Sequence, residues 1–387
     1  MGKNGALSEN VSSYLAGVKE TLGKLPVQDI EKVIYRLEEA RKKGQRVFTC
    51  GNGGSATTSI ALADILREGS AASEEPFIKA RSLCESIGAL THHARKFSYE
   101  EVFIRAMRGQ IEKGDVLIAI SGSGRSQNVL NAVYAAKAAG ATAIGFTGFD
   151  GGRLKDTADI CVIVPSRSME QIEDVHFLLG HLIATCLGRM PPQDTSLSAM
   201  VSSYLAEVSD ILEKMPEDLI EKVVYWLEEA RWKGQKILTC GNGGSAITSI
   251  HFAGDLMKGA MAPGKPIIEA RSLCENIAHL TAYANDVSFE DAFLGVMDGQ
   301  AKKGDVFIAM DEEGNSPNVL NAIDAARFMG ATTIAFAGFD GGKLKDMADI
   351  CVIVPCRSVR QIQAIHLLLC HLITNCLRNI PAEEVKF

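Results

Sequence analysis

The chain has 387 residues, of which 47% are hydrophobic and 22% charged, and its formal net charge is -7. This acidic balance argues against nucleic acid as the main partner, because neutralising phosphates requires clustered lysine and arginine. No apolar run reaches the length of a membrane span and the N-terminus lacks a signal-peptide core, so we expect a cytoplasmic protein with no membrane segment.

Segments with helical and strand-like patterns alternate along the first half of the chain. Amphipathic stretches alternate with short apolar runs, each of which leads into a polar or glycine-rich turn. The predicted helices are 8–24, 27–43, 55–68, 98–113, 126–139 and 168–189, and the predicted strands are Arg46–Cys50, Val116–Ile120, Ala143–Thr147 and Ile160–Pro165. The alternation predicts an α/β fold whose parallel sheet is covered on both faces and binds ligands at the carboxyl ends of its strands.

The second half of the chain repeats the first at a constant offset of 190 residues. Val11–Ala16 returns as Val201–Ala206, and Gly51–Ala56 returns as Gly241–Ala246. From residue 11 to 190, about 104 of 180 positions are identical, with no insertion or deletion. The period is too long for a solenoid, so the chain contains a duplicated globular domain. We refer to residues 11–190 as the first copy and to the matching residues as the second copy.

The duplication predicts two domains, residues 1–190 and 191–387, each long enough to bury its own core. A short polar linker at Pro191–Ser196 would hold them close together, so that the pair resembles a covalent dimer. The ten cysteines form no CxxC pair and several lie in apolar runs, which is typical of buried, reduced thiols.

A glycine-rich loop follows the first predicted strand in both copies. It reads Asn52-Gly53-Gly54-Ser55 in the first copy and Asn242-Gly243-Gly244-Ser245 in the second. Glycines let the backbone approach a ligand, and the start of the following helix offers free N–H groups. Taken alone, such a loop is equally typical of a tight connection.

A second loop, at the end of the next strand, differs between the copies. Ser121, Ser123 and Ser126 stand at a helix start in the first copy, where hydroxyls and exposed amides suit a phosphate monoester. A serine-rich helix cap is the alternative explanation. In the second copy Asp311-Glu312-Glu313 replaces the first three residues of this loop and only Ser316 is kept.

Three carboxylates would repel a dianionic phosphate by several kcal/mol at low effective dielectric. The acidic loop therefore binds a neutral or cationic ligand, pairs with basic residues elsewhere, or is a solvated acidic turn. The basic candidates are Arg95, Lys96 and Arg125, which are also candidate phosphate ligands in their own right.

These loops, a Gly-Phe-Asp-Gly-Gly turn and a final helix with paired histidines resemble the sugar isomerase (SIS) domain, and most closely the phosphoheptose isomerases. The resemblance covers both copies almost end to end. It implies two tandem SIS domains, each a five-stranded parallel sheet flanked by helices in three αβα layers. It also implies a tetrameric enzyme that interconverts sedoheptulose 7-phosphate and a heptose 7-phosphate. The DnaA initiator-associating protein is a non-catalytic relative.

The resemblance further implies a zinc site on two helices. Its ligands fall on His251, Asp255, Gln363 and His371 in the second copy, and on Ala61, Ile65, Glu173 and His181 in the first. An Asn-Asp pair of the family falls on Asn285-Asp286 in the second copy and on Arg95-Lys96 in the first. The Asn-Gly-Gly loops and the retained serines would bind substrate.

Asp255 and His371 are the candidate catalytic residues. Zinc would polarise the carbonyl oxygen while one of them moves a proton between C1 and C2 through an enediol. Asp255 is one methylene shorter than the glutamate of the family. The alternative is that His366 and His371 are satisfied core histidines, because His176 and His181 persist in a copy that lacks the other ligands.

The leading hypothesis is therefore a sugar-phosphate aldose–ketose isomerase with its chemistry in the second copy. The first copy would hold the phosphate, be structural, or share one composite site with the second. Two alternatives remain: a non-catalytic protein that binds sugar phosphates or other proteins, and an isomerase for an unphosphorylated sugar or amino sugar. Two double-length chains would rebuild the family tetramer, which predicts a homodimer with four domains.

Overall fold

A computed structural model of the chain describes residues 5–69, 77–189 and 196–381. The first copy forms helices α1 to α8 and strands β1 to β5. In chain order these are α1 Gly5–Gly23, α2 Val27–Lys42, β1 Arg46–Cys50, α3 Gly54–Gly69, β2 Lys79–Ser82, α4 Ile87–Lys96, α5 Val102–Met107, β3 Val116–Ile120, α6 Gln127–Ala138, β4 Thr142–Thr147, α7 Leu154–Thr157, β5 Ile160–Ile163 and α8 Met169–Leu187.

The second copy repeats this order of elements. In chain order they are α9 Leu197–Glu213, α10 Glu217–Lys233, β6 Ile237–Gly241, α11 Gly243–Gly254, β7 Ala270–Ser272, α12 Ile277–Asp286, α13 Ala292–Met297, β8 Val306–Met310, α14 Pro317–Phe328, β9 Thr332–Ala337, α15 Leu344–Met347, β10 Ile350–Ile353 and α16 Val359–Asn379. A 3₁₀ turn, Tyr99–Glu101, precedes α5, and a π-helical turn, Asp255–Gly259, continues α11.

Each copy contains one five-stranded sheet in which every pairing is parallel. The strand orders are β2-β1-β3-β4-β5 and β7-β6-β8-β9-β10. The central strands β3 and β8 are buried along their whole length, as expected for strands covered by helices on both faces. The predicted fold class, two α/β domains with five parallel strands between helices, is confirmed.

The order of the strands reverses between β1 and β3 in the first copy and between β6 and β8 in the second. In open parallel sheets such a switch point leaves a crevice at the carboxyl ends of the two strands. The loops that follow these strands are the glycine-rich loop and the serine or acidic loop of each copy. Topology therefore brings together the two loops that the sequence singled out.

The predicted elements are mostly right, with four differences in the first copy, one of which is that the four-residue helix α7 was not predicted. The predicted helix 98–113 is wrong in extent, because α5 ends at Met107 and Gly109 follows with a positive φ of 74° that terminates the helix. Strand β2 was not predicted, since it is a short edge strand in which charged and small residues alternate between exposed and buried positions. Helix α4 was also missed, because it contains no buried residue and so lacks a strong apolar period.

The described residues divide into two compact units. One contains Val18–Ser209, and the other contains residues up to Gly17 together with Asp210 onward. Within the latter unit, the hydroxyl of Ser12 hydrogen bonds to the carboxylate of Glu217. The predicted boundary between residues 190 and 191, and all of the predicted linker except Ser196, lie outside the described residues, so the proposed domain limits remain a prediction.

The cores are apolar and the thiols are free. All ten cysteines are unpaired, seven of them are buried, and burial raises the pKa of the Cys161 thiol to about 12. Among the helices that the structure describes, none has the length and apolar character needed to cross a bilayer.

Candidate functional site

Two asparagines join the loops at each switch point. The side-chain amides of Asn52 and Asn128 exchange two hydrogen bonds of 2.9 Å, and Asn242 and Asn318 do the same at 2.9 and 2.8 Å. Asn128 and Asn318 were not singled out from the sequence, although their identity in both copies was a usable signal. These pairs commit both predicted substrate-binding asparagines to holding the glycine-rich loop against α6 in the first copy and α14 in the second.

The glycine-rich loop requires glycine for two separate reasons. Gly53 and Gly243 have φ values of 56° and 51°, a left-handed conformation that other residues adopt only at a cost. A Cβ on Gly244 would lie 2.9 Å from the side-chain amide of Gln363, so the backbone here approaches a predicted metal ligand closely. In the second copy the missing Cβ thus leaves room for the Gln363 side chain.

Among the described residues, no carboxylate accepts hydrogen bonds from the hydroxyl or backbone N–H groups of the serine loop of the first copy. The hydroxyl of Ser121 donates to Ser126 Oγ at 3.2 Å, and Ser123 Oγ accepts a long 3.3 Å bond from the backbone of Arg125. Among the described residues, the backbone N–H of Ser126 at the start of α6 has no acceptor. The Arg125 guanidinium pairs with Asp150 at 2.7 Å at the surface. The loop thus keeps hydroxyl and amide donors at a helix N-terminus.

The acidic loop of the second copy is organised around one buried carboxylate. Asp311 Oδ2 accepts hydrogen bonds from the backbone N–H groups of Asn315 at 2.6 Å and Ser316 at 2.9 Å. Its Oδ1 accepts from the Ser316 hydroxyl at 2.7 Å. Asp311 is only 5% exposed, so for this residue the interpretation as a solvated turn is wrong, whereas Glu313 is exposed.

Glu312 connects the acidic loop to two predicted site residues. Its Oε1 accepts hydrogen bonds from the Ser245 hydroxyl at 2.9 Å and from Gln363 Nε2 at 2.7 Å. The first copy has Gly122 at this position and therefore no carboxylate there. The sequence did not reveal this role, because the partners of Glu312 are 67 and 51 residues away.

Three of the four predicted zinc ligands come together in the second copy. His371 Nε2 lies 3.2 Å from His251 Nε2, and Asp255 Oδ2 lies 3.4 Å from the imidazole of His251 and 3.3 Å from that of His371. Helical spacing of four residues puts His251 and Asp255 on one face, and α16 brings His371 to them. The structure shows Gln363 hydrogen bonded to Glu312.

These three residues fit a zinc ion. Bonds of about 2.0–2.1 Å in a tetrahedral site place neighbouring ligand atoms about 3.3 Å apart, which the three observed separations match. Asp255 Oδ2 is buried and has no hydrogen bond of good geometry within the described part of the chain. Two imidazole nitrogens and an unsatisfied carboxylate oxygen therefore converge as a metal ion would require.

The protonation states also suit metal binding. Burial lowers the pKa of His251 to about 4, with Asp255 partly opposing the shift, so the imidazole is neutral at neutral pH. Burial raises the pKa of Asp255, but the neighbouring imidazoles lower it by more, so its pKa lies below the ordinary value. Neutral histidine and ionised aspartate are the ligating forms.

A π-helical turn begins at Asp255 in the second copy. The backbone N–H of Ala260 donates to the carbonyl of Asp255 at 2.9 Å, a five-residue step instead of the four-residue step of an α-helix. The first copy continues as α-helix through the matching position, Ile65. Such turns occur often at functional sites, and this one starts at the carboxylate that meets the two histidines.

The matching positions in the first copy lack this chemistry. Ala61 and Ile65 replace the histidine and the aspartate with apolar side chains. His176 and His366, by contrast, are core histidines in both copies, with Nε2 3.2 Å from the Thr147 carbonyl and 3.4 Å from the Ala337 carbonyl. The core-histidine alternative therefore holds for His366, whereas His371 faces two other potential ligands.

The predicted Asn-Asp pair lies at the exposed end of α12. Asn285 Nδ2 donates to Asp286 Oδ1 at 2.9 Å, and α12 contains no buried residue. In the described structure these two side chains hydrogen bond with each other and not with His251, Asp255 or His371. Their proposed role in binding substrate remains a prediction.

A cavity of about 330 Å³ opens at the acidic loop. Its lining residues are Asp311, Glu312, Glu313, Asn315, Ser316 and Val359. Ser316, the one serine retained from the predicted phosphate loop, lines this cavity, but its hydroxyl and its N–H are both directed to Asp311.

Comparison with known proteins supports a common family for both copies. The model of the SIS domain family matches residues 9–148 and 203–338. A phosphoheptose isomerase of Helicobacter pylori (strain Shi470) is 39% identical over 191 residues, which are 49% of this chain and 99% of that protein. A phosphoheptose isomerase of Fusobacterium nucleatum is 35% identical over 190 residues, 48% of this chain and 96% of that protein.

A solved structure matches nearly the whole chain. The C-terminal domain of glucosamine-fructose-6-phosphate aminotransferase from Francisella tularensis aligns with a TM-score of 0.62 over 97% of this chain and 96% of that domain. The two are 11% identical, so this likeness shows the fold.

Proposed function

Because the chain belongs to the SIS domain family, and because its relatives are named phosphoheptose isomerases, we propose that it is a sugar-phosphate isomerase of the aldose–ketose type. The chemistry is assigned to the second copy, at His251, Asp255 and His371. The convergence of these three residues within 3.4 Å of one another is the observation that carries the proposal.

The three residues supply both a metal site and a proton carrier. When bound, zinc would supply Lewis acidity that polarises the carbonyl of the sugar. Asp255, which is ionised and lies beside two imidazoles, is the first candidate for accepting the proton that moves between C1 and C2. His371, whose Nε2 lies 3.3 Å from the same carboxylate oxygen, is the second candidate for moving that proton. Gln363 is the proposed fourth ligand through its amide oxygen, because its Nε2 already donates to Glu312.

The first copy is proposed to bind the phosphate group of a sugar phosphate. Ser121, Ser123 and Ser126 present hydroxyls at the start of α6, where the helix dipole favours an anion. No carboxylate fills this loop in the described structure. The remaining loop residues proposed to contact substrate are Asn52, Gly53, Gly54, Ser55, Asn242, Gly243, Gly244, Ser245, Asn285, Asp286 and Ser316.

A non-catalytic role is the second candidate function. The first copy combines an open anion-binding loop with apolar residues, Ala61 and Ile65, at the metal positions. A domain of this kind can bind a sugar phosphate without turning it over. The chain would then act as a sensor or as a protein-binding scaffold.

Metal analysis and an isomerase assay of matched variants test the proposal. We expect about one zinc per chain in the wild type, from the one complete ligand set. His251→Ala, which places the residue of the first copy in the second, should remove the zinc and with it the Lewis acid, and should reduce turnover of sedoheptulose 7-phosphate by about 100-fold or more.

His181→Gln provides the control for loss of a buried imidazole, because His181 is the counterpart of His371 in the first copy. This variant should keep both zinc and turnover. A wild-type protein without zinc, together with turnover unchanged in His251→Ala, would contradict the enzyme assignment. Binding of the sugar phosphate without turnover would favour the non-catalytic role.

We propose that the chain forms a homodimer with four domains. Exposed apolar side chains recur at five matched positions of the copies, and contiguous exposed apolar patches mark interaction surfaces. The pairs are Phe77 and Ile267, Ile87 and Ile277, Phe97 and Val287, Tyr99 and Phe289, and Met169 and Val359. Light scattering should give twice the chain mass of 41.6 kDa; a stable monomer would contradict this proposal.

A further inference from the structure

Asp311 occupies the position where a loop at a helix N-terminus would bind an external anion. Its carboxylate accepts two backbone N–H groups and one hydroxyl at the start of α14, at 2.6, 2.9 and 2.7 Å. Amide and hydroxyl donors at a helix N-terminus are the groups that bind a phosphate monoester. All three donors are thus already used by an anion that belongs to the chain.

The first copy shows what the same loop is like without that carboxylate. Ser121 replaces Asp311, and its hydroxyl reaches Ser126 Oγ at 3.2 Å. The N–H of Ser126, equivalent to the N–H of Ser316 that binds Asp311, has no acceptor among the described residues. The matched loops therefore differ in one respect that decides anion binding, which is whether an internal carboxylate fills the helix start.

Two further carboxylates reinforce this difference in the second copy. Glu312 and Glu313 line the same cavity as Asp311. Glu312 is also held in place, because it accepts hydrogen bonds from Ser245 and Gln363. A phosphate entering the cavity would have to displace a buried carboxylate and approach two more negative charges.

We propose that Asp311 is a specificity-determining residue that acts as a built-in substitute for phosphate. The loop of the second copy therefore does not bind the phosphate group of a sugar phosphate. This inference deepens the proposed function, on which it rests for the identity of the ligand as a sugar. Exclusion of phosphate itself depends on the loop alone and requires neither zinc nor catalysis.

Reciprocal exchange of the two loops tests the proposal in the full chain. Binding of inorganic phosphate is measured by isothermal titration calorimetry. The wild type should bind phosphate, and Ser121→Asp, which brings the aspartate into the first copy, should weaken this binding at least tenfold. Adding Asp311→Ser, Glu312→Gly and Glu313→Ser to the Ser121→Asp variant should restore binding to within threefold of the wild type.

A matched control separates the role of Asp311 from that of acidity in general. In the Ser121→Asp background, Glu313→Ser alone removes an exposed charge and should not restore binding. Thermal melting verifies that each variant is folded. The proposal is overturned if the wild type binds no phosphate, if Ser121→Asp binds it as tightly as the wild type, or if the folded loop exchange fails to restore binding. Zinc content and turnover are measured separately, so failure of the enzyme assignment is recognised independently.

Discussion

The two copies share the framework of their sheets and differ in the residues that carry the candidate chemistry. Both have the same strand order and the same asparagine pair that joins the two loops. Yet only the second brings two histidines and an aspartate within 3.4 Å, and only the first leaves its helix start without a carboxylate. The two copies thus keep the same framework, while the second retains the candidate metal ligands and the first retains the candidate phosphate-binding loop.

The loop exchange and the histidine variants test the largest differences between the copies, which concern binding and catalysis. A further difference lies in buried charge. In the second copy, Glu228 pairs with Arg231 and with Lys265 at 2.9 Å each, and all three side chains are at most 4% exposed. In the first copy, Glu38 pairs with buried Arg41 and with Lys42, whose side chain is 60% exposed.

Alanine substitution of these glutamates should sharpen that comparison. Glu228→Ala leaves two buried cations unpaired, and removal of one partner from a buried pair costs about 3–5 kcal/mol. Glu38→Ala should reduce the free energy of unfolding by less, because the exposed ammonium group of Lys42 remains hydrated without its partner. Urea denaturation of the full chain, followed by circular dichroism, measures both effects. Equal losses of unfolding free energy in the two variants would show that the difference in burial between the two networks has no energetic consequence.

A smaller effect should be the same in both copies. Burial lowers the pKa of both His176 and His366 to about 4, below the ordinary value of about 6.5 for an unfolded histidine. Between these values the unfolded chain binds more protons than the folded chain. The contribution of each histidine to the free energy of unfolding is therefore fully present above about pH 6.5 and is lost as pH falls towards 4. Each histidine should contribute a loss of about 1.4 kcal/mol per pH unit in that window.

The glutamine variants of these two histidines check this expectation. His176→Gln and His366→Gln should each reduce the pH dependence of the denaturation midpoint between about pH 6.5 and pH 4 by a similar amount. The wild type at neutral pH provides the reference. A large effect from only one of them would contradict the equivalence of the two cores.

Much of the fold could be predicted, because its signals are local. Apolar runs that end in glycine-rich turns marked β1, β3, β4 and β5, and the constant offset transferred them to the second copy. Strand β2 and helix α4 escaped prediction because both have weak apolar patterns, being an edge strand and a helix without buried residues. Pairing with β1 stabilises β2, and α4 packs against α5, so tertiary contacts and not local pattern stabilise these elements.

The candidate site could be predicted only in part. Spacing placed His251 and Asp255 on one helix face, but not the π-helical turn at Asp255. The role of Asp311 also escaped prediction: an acidic tripeptide suggests a solvated turn, whereas the structure buries its first carboxylate as a helix cap. Glu312 was equally ambiguous until its contacts with Ser245 and Gln363 were seen.

The duplication, the parallel α/β class and the two loops that follow the strands could be recognised in the amino-acid sequence, and the resemblance to the SIS family located the candidate ligands. The α/β class follows from periodicity, which depends on residues close together in the chain, and the duplication follows from aligning the two halves. Packing of distant elements was needed to reveal that His371 lies beside His251, 120 residues away, and that the Asp311 carboxylate occupies the donors that would otherwise bind an anion. The partner of a side chain depends on which distant elements pack beside it, and no local pattern contains that information.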